Sequence, residues 1–166
     1  DVPRGADTSP NELQHILAHS GCKMAFAEND DVAREILGIV EQLPELRDVC
    51  VMDEQTSVEG VLTFADLRAE GEASDVNLEA AAAEVSSEDT LTIVYTSGTT
   101  ADPKGVMLTH HNVLSNVYAI NQVLQAGQQD VFLSALPAWH VYERIIDYLA
   151  LACGAELVYT TRRKIK

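Results

Sequence analysis

The chain is short of positive charge. Of its 166 residues, 11 are Lys or Arg against 26 Asp or Glu, leaving a formal net charge of −15. A surface of that sign repels nucleic-acid phosphates and anionic lipid unless its charge is segregated, so no nucleic-acid partner is expected. Cysteine is also scarce: Cys22, Cys50 and Cys153 are an odd number at wide, unpatterned spacing among apolar neighbours. Reduced thiols in a cytosolic core are expected from them, rather than a disulfide framework or a zinc set. Long apolar runs are missing as well. The longest, Tyr148 to Tyr159, is broken by Gly154 and Glu156 and falls short of the ~20 residues a membrane span needs, so no transmembrane segment is expected. The opening Asp1-Val2-Pro3-Arg4 has no initiator Met, basic region or apolar core of a signal peptide, and the expectation is a fragment without a leader.

What remains is a chain with 46% hydrophobic residues, enough for a real core and roughly one domain in length. Its acidity is concentrated. Residues 1–90 carry 5 basic and 21 acidic side chains, while residues 91–166 carry 6 and 5. The second part is therefore free to meet an anion.

Helix and strand signals alternate along the chain. Ser9-Pro10 reads as an N-cap and first helical residue for a helix over 10–20 ended by Gly21, and residues 22–27 form a strand-length apolar run. Asp30-Asp31 opens a second helix carrying Val32, Ile36, Leu37 and Val40, and Val49 to Met52 gives another strand. This rhythm predicts an α/β fold with a largely parallel sheet. Residues 1–68 are read as an acidic α/β subregion and 69–89, rich in Ala, Glu, Ser and Asp, as an acidic surface linker with room for a short helix. Residues 90–166 form a third subregion. Strands are expected over 91–95, 106–108, 131–136 and 156–160, with helices over 110–125 and 140–152. In the first of these helices Thr109 is the cap, and Val113, Val117, Ile120, Val123 and Leu124 are assigned to the buried side.

Chemistry is concentrated in Tyr95-Thr96-Ser97-Gly98-Thr99-Thr100-Ala101-Asp102-Pro103-Lys104-Gly105. Clustered hydroxyls, two glycines and one lysine after a strand offer N–H, O–H and ammonium groups that can converge on phosphate oxygens. It is not a Walker A loop: counting from Gly98, the second required Gly falls on Pro103, and Lys104 precedes its Gly. On composition alone, an exposed Ser/Thr-rich hairpin is an equally good reading.

Thr96 to Thr100, then Pro103-Lys104-Gly105-Val106, Leu108-Thr109-His110 and Asn112, resemble the phosphate-loop signature of the AMP-forming adenylating enzymes, which include acyl-CoA synthetases, luciferases and peptide-synthetase adenylation domains. A second block, Leu136-Pro137-Ala138-Trp139-His140-Val141-Tyr142-Glu143-Arg144, resembles the corresponding segment of long-chain fatty acyl-CoA synthetases. Trp139 and the stretch Val158 to Thr161 are closest to the branch that holds acyl-carrier-protein synthetases, and Asp1 to Asp7, Glu12-Leu13 and His19-Ser20 fit that branch too.

The resemblance implies a two-step reaction. A fatty-acid carboxylate attacks the α-phosphorus of ATP to give acyl-adenylate and pyrophosphate, and a thiol, that of coenzyme A or of an acyl carrier protein, takes the acyl group. Because a carboxylate is a weak nucleophile approaching a polyanion, donors and Mg²⁺ on the triphosphate are what the step needs. By the match, Thr96, Ser97, Gly98, Thr99, Thr100 and Lys104 would hold the β- and γ-phosphates, with Thr96 reaching the metal and His140 beside the acyl carboxylate and the nucleotide. The implied setting is the cytoplasm, with peripheral membrane attachment as a variant. The family has Gly where this chain has Ala101. If that position takes a positive φ, Ala costs about 1 kcal/mol, and Ala101→Gly is expected to raise adenylation. The family's later metal, ribose and hinge segments and its C-terminal domain are absent from the 166 residues. The expectation is a piece of the large N-terminal domain, inactive alone, with a non-catalytic nucleotide-binding remnant as the competing reading.

Four further features carry readings of their own. Glu143 and Arg144 read as a local ion pair on a solvated helix face, or as support for the turn that carries His140. Glu12, His15 and His19 share a helical face at i, i+3 and i+7, yet no further ligand is placed beside them and metal binding is not expected. His110 and His111 are adjacent and point apart, with the surface as their default place. The basic run Arg162 to Lys166 is not the family's catalytic-lysine segment, because no Ser-Gly precedes it.

Overall fold

The computed structural model describes residues 1–5, 7–96 and 102–160. The chain runs α1 (Pro10–Ser20), β1 (Met24–Ala27), α2 (Asp30–Leu37), a 3₁₀ turn (Val40–Gln42), β2 (Asp48–Val51), β3 (Leu62–Thr63), α3 (Phe64–Glu72) and α4 (Leu78–Ala83). It continues through β4 (Thr90–Thr96), β5 (Lys104–Thr109), α5 (His110–Leu124), β6 (Val131–Ser134), α6 (Val141–Cys153) and β7 (Glu156–Tyr159).

Local chemistry sets most of the boundaries. The Ser9 hydroxyl accepts from the Glu12 N–H with Pro10 in the first turn, and α1 stops where Gly21 adopts the left-handed conformation at φ 63°. Asn29 caps α2 by accepting from the N–H groups of Asp31 and Val32, both at 3.1 Å. Thr63 with Asp66 and Thr109 with Asn112 each form a reciprocal capping box, opening α3 and α5. Gly154, at φ 68°, ends α6.

The first sheet has strand order β1-β2-β3, all parallel, with Ala25 opposite Val49 and Cys50 opposite Leu62. Its core joins Ala25, Ala27, Val49 and Val51 of the strands to Ala33 and Ile36 of α2, with Leu43 and Leu46 from the connection. Small Ala side chains on β1 let α2 lie close, and the apolar positions of α2 recur at helical spacing. Parallel strands need such a helical crossover.

The second part is built from two strand pairs. β4 and β5 are antiparallel, β6 and β7 parallel, and α5 packs on α6 through Val113, Val117 and Leu149. The antiparallel pair departs from the largely parallel reading because a short connection can return a strand only beside itself in the opposite sense. Val123 and Leu124, assigned to the buried side, are 81% and 56% exposed. They extend past the last residue of α5 that meets α6, so helical periodicity alone placed them inward. The strand expected over 131–136 ends at Ser134. β3 and α3 were not foreseen; β3 is two residues long, too short to give an alternating pattern. Residues 69–89 are exposed throughout, with α3 ending and α4 lying inside them.

Candidate functional site

Residues 97–101 lie outside the described residues, and with them Ser97, Gly98, Thr99, Thr100 and Ala101. The two flanks of the segment are described. Thr96 ends β4 and Lys104 opens β5, and the two face each other across the antiparallel ladder. Both are exposed. No carboxylate pairs with Lys104 among the described residues, so its ammonium is available to an anion. A hydroxyl and an ammonium side by side where the connection joins the two strands suit phosphate oxygens, which accept from both.

The connection end of the hairpin is held by α1. Tyr95, 5% exposed, puts its hydroxyl 2.7 Å from His19 Nδ1. His15 Nε2 lies 3.1 Å from the Pro103 carbonyl oxygen; a carbonyl only accepts, so this nitrogen carries the proton. Arg4 Nη1 donates to the Tyr95 carbonyl at 3.3 Å, while the other arm of the guanidinium pairs with Glu12. The His15 and His19 rings stack at 5.4 Å between centroids, and each meets the Tyr95 ring edge-on. Burial pushes the Tyr95 phenol above its ordinary value, Cys22 adds to that and Ser20 opposes it with a hydrogen bond. The hydroxyl thus keeps its proton and can donate it to His19.

Gly105 sits opposite Tyr95 in the ladder. A Cβ at this position would come within 2.9 Å of Ile93 Cγ2 and 3.1 Å of Tyr95 Cζ. The glycine is therefore needed for close approach of the Tyr95 ring, not for a positive φ, which it does not have.

His140 occupies a different element. It is the N-cap of α6, and its Nδ1 accepts from the Tyr142 N–H at 3.2 Å. An accepting Nδ1 places the proton on Nε2, so the exposed edge of the ring presents a donor. No hydrogen bond among the described residues joins His140 to Thr96 or Lys104. The turn that carries it is fixed on both sides. Trp139 packs on Gly5, where a Cβ would come within 2.7 Å of the indole, and Glu143 accepts from the Ala135 N–H at 2.9 Å.

Glu143 and Arg144 do not form the local surface pair that adjacency suggested. Glu143 is 4% exposed, turned inward to the end of β6. Arg144 instead reaches Asp1, with Nη2 at 2.9 Å from the carboxylate, and donates to the Tyr148 hydroxyl at 2.9 Å. Successive helix residues diverge by about 100°, which is why one turns to the end of β6 and its neighbour to the N-terminal segment. Asp147, one turn beyond Glu143, has its carboxyl raised by burial and by Glu143, with Ser134 and Arg144 opposing.

Sequence reasoning missed the part played by Arg4 and, within the segment it singled out, the contacts that Tyr95, Pro103 and Gly105 make. The shared face of Glu12, His15 and His19 was visible as a pattern, but nothing local named what it would touch. Among the described residues no group of three His, Cys, Asp or Glu could hold a metal. A Mg²⁺ ion that keeps waters and binds substrate phosphates would need few protein ligands, and the exposed Thr96 hydroxyl is an oxygen of the kind it takes. The three cysteines are unpaired. No helix among the described residues is long and apolar enough to cross a membrane. Arg162 to Lys166 lie outside the described residues.

Comparison with known proteins follows the same lines. The family model described as "AMP-binding enzyme" matches residues 1–165. A chloroplastic "long-chain-fatty-acid–[acyl-carrier-protein] ligase" of Arabidopsis thaliana is 34% identical over 180 aligned residues, covering 100% of this chain and 25% of its own length. A mouse "long-chain-fatty-acid–CoA ligase 5" is 43% identical over 74 residues, 42% of this chain and 11% of that protein. The chain thus spans about a quarter or less of the length of these relatives. In fold it matches a solved Rhodopseudomonas palustris structure described as a long-chain-fatty-acid CoA ligase, with a TM-score of 0.77 at 18% identity over 95% of this chain and 37% of that one. It also matches the N-terminal domain of FACL13 from Mycobacterium tuberculosis, with a TM-score of 0.72 at 23% identity over 96% of this chain and 36% of that one.

Proposed function

The chain belongs to the AMP-binding enzyme family, and from that premise we propose that it supplies the triphosphate-gripping part of a fatty-acid-activating ligase of its relatives' length. The observation that carries the reading is the Thr96–Lys104 pair at the connection end of the β4–β5 hairpin, with the lysine unpaired by any described carboxylate. In the first step a fatty-acid carboxylate oxygen bonds to the α-phosphorus of ATP and the bond to the bridging oxygen breaks, so that pyrophosphate leaves with the electron pair. Lys104 and Thr96, with Ser97, Gly98, Thr99 and Thr100, hold the departing β- and γ-phosphates and offset the charge that gathers on them. Mg²⁺ would share the triphosphate charge, with Thr96 as the protein oxygen beside it. His140 presents its Nε2–H toward the acyl carboxylate and the nucleotide, orienting the nucleophile rather than taking a proton from it, since a carboxylate has none to give at neutral pH.

In the second step a thiol attacks the acyl carbon and AMP leaves. Coenzyme A is the acceptor in this reading, and a long-chain fatty acid the acyl donor, after the names borne by several relatives. A second reading, transfer to an acyl carrier protein, is favoured by the relative that aligns with the whole chain. Both acceptors are water-soluble, which suits a cytoplasmic enzyme meeting its lipid substrate at a membrane surface.

Fatty-acid-dependent exchange of labelled pyrophosphate into ATP, measured on the full-length enzyme, tests the first step. Lys104→Ala is expected to raise KM for ATP on the order of 10- to 100-fold, the worth of a charge-assisted contact of roughly 1.5–3 kcal/mol. An unchanged KM would remove the assignment. Thioester formation with coenzyme A against holo acyl carrier protein then separates the two acceptors.

A further inference from the structure

α1 belongs to the acidic subregion and carries none of the residues that the phosphate signature contains. It nevertheless touches both ends of the segment that does. Glu12, His15 and His19 recur at i, i+3 and i+7, so they form one face, and in the structure that face lies against the end of the β4–β5 hairpin where the connection joins the strands. His19 meets the Tyr95 hydroxyl at 2.7 Å, and Tyr95 immediately precedes Thr96. His15 donates to the Pro103 carbonyl at 3.1 Å, and Pro103 immediately precedes Lys104. Glu12 holds Arg4, which donates to the Tyr95 carbonyl at 3.3 Å.

We propose that the Glu12–His15–His19 face of α1 is the positioning base of the phosphate hairpin, with His15 and His19 acting in ATP binding through Pro103 and Tyr95. The inference rests on Thr96 and Lys104 being phosphate contacts.

The physical argument is one of reach. Lys104 carries its charge on a flexible four-carbon stem, and the direction that stem takes is set by the backbone at its root. That backbone is fixed on one side by the ladder pairing to Thr96. On the other side Pro103 has no N–H to give, so its carbonyl is the group by which the strand entrance is anchored, and His15 supplies the donor. At the opposite strand the buried Tyr95 ring is fixed in three ways: by its hydroxyl on His19, by edge-on contact with both histidines and by the missing Cβ at Gly105. Two strand ends are thereby tied to one rigid helix, and a helix is a stiffer reference than either loop flank. A displacement of about 1 Å in a substrate-holding group can cost on the order of 100-fold in rate.

A purely structural role would lower stability and depress both half-reactions together. A positioning role acts where the triphosphate is held. The experiment therefore measures, on the full-length enzyme, KM for ATP in pyrophosphate exchange and, separately, conversion of supplied acyl-adenylate to thioester with coenzyme A, or with holo acyl carrier protein if coenzyme A is not accepted. For His15→Ala, KM for ATP is expected to rise roughly 10- to 100-fold while the second half-reaction stays within about twofold. His15→Gln, which keeps a donor, is expected to recover most of the loss. Tyr95→Phe keeps the ring packing and removes only the hydroxyl, so it keeps the test open if a histidine variant fails to fold, and it too should raise KM for ATP. An unchanged KM in both His15→Ala and Tyr95→Phe overturns the proposal, as does an equal loss in the two half-reactions. Lys104→Ala separates the layers: if it raises KM for ATP and the α1 variants do not, this inference fails alone, and if Lys104→Ala has no effect the underlying reading fails first.

Discussion

Glu143 Oε1 accepts the Ala135 N–H at 2.9 Å from a side chain that is 4% exposed. A glutamate in the first turn of α6 thus closes the turn between β6 and that helix, with His140 at its rim. Glu143→Ala is expected to leave the Ala135 N–H without a partner, at a cost of roughly 1–3 kcal/mol. Glu143→Gln keeps an acceptor oxygen and should lose less. Urea unfolding of both variants checks this, and equal losses would show that the carboxylate's charge, and not its accepting role, is what matters.

His140 serves the fold and the proposed chemistry through different nitrogens. Nδ1 caps α6, and Nε2 faces outward. Asn is a good N-cap, so His140→Asn should keep the helix terminus, whereas His140→Ala should cost about 1 kcal/mol. Both variants are expected to slow pyrophosphate exchange in the full-length enzyme, because neither retains the Nε2–H. Full activity in His140→Asn would reduce the residue to a cap.

Gly105→Ala places a methyl group against Ile93 and the Tyr95 ring. Overpacking of this kind costs about 1–3 kcal/mol, and a shift of the Tyr95 ring would disturb its contacts with His15 and His19. A drop in thermal stability together with a raised KM for ATP is the expected result. A stable variant with unaltered kinetics would show that the ladder opens to admit the methyl without shifting Tyr95.

Asp30 offers a pH test in the acidic subregion. Hydrogen bonds from the Thr56 and Ser57 hydroxyls, then from the Ser57 N–H, hold its carboxyl down to about 2, with Arg34 contributing less. A carboxylate whose value is depressed on folding stabilises above its unfolded value, near 4, and that contribution disappears as the pH falls through about 2. The tie between α2 and residues 56–57 should therefore persist at neutral pH and be lost in the acid range below 4. Asp30→Ala is expected to remove this part of the acid transition, which unfolding curves at pH 7 and across pH 2–4 would reveal.

Much of this was legible from residue order because it depends on neighbours a few positions apart. The Ser9 and Thr109 caps and the stop at Gly21 are each set within a few residues, where backbone geometry and short polar side chains decide. The polar connection between two strands that carries Thr96 and Lys104 was legible in the same way, whereas their pairing across the ladder was not. Where the reading failed, the deciding contact was remote. Helical periodicity put Val123 and Leu124 inside, but which turns of α5 are covered depends on where α6 lies. Adjacency offered a Glu143–Arg144 ion pair beside the reading of support for the His140 turn; the pair does not form, because Glu143 turns to Ala135 and supports that turn while Arg144 reaches Asp1.

The sequence alone therefore determined the chemistry on offer: hydroxyls and one lysine at a hairpin end, a histidine at a helix start, and a family signature spread over both blocks. Only the tertiary structure decided what holds those groups still. His19 reaches Tyr95 across 76 positions and His15 reaches Pro103 across 88, distances at which no periodicity or propensity carries information. Such contacts exist because the buried faces of helices and sheets must find one another, and the side chains at the seams take their partners from that packing.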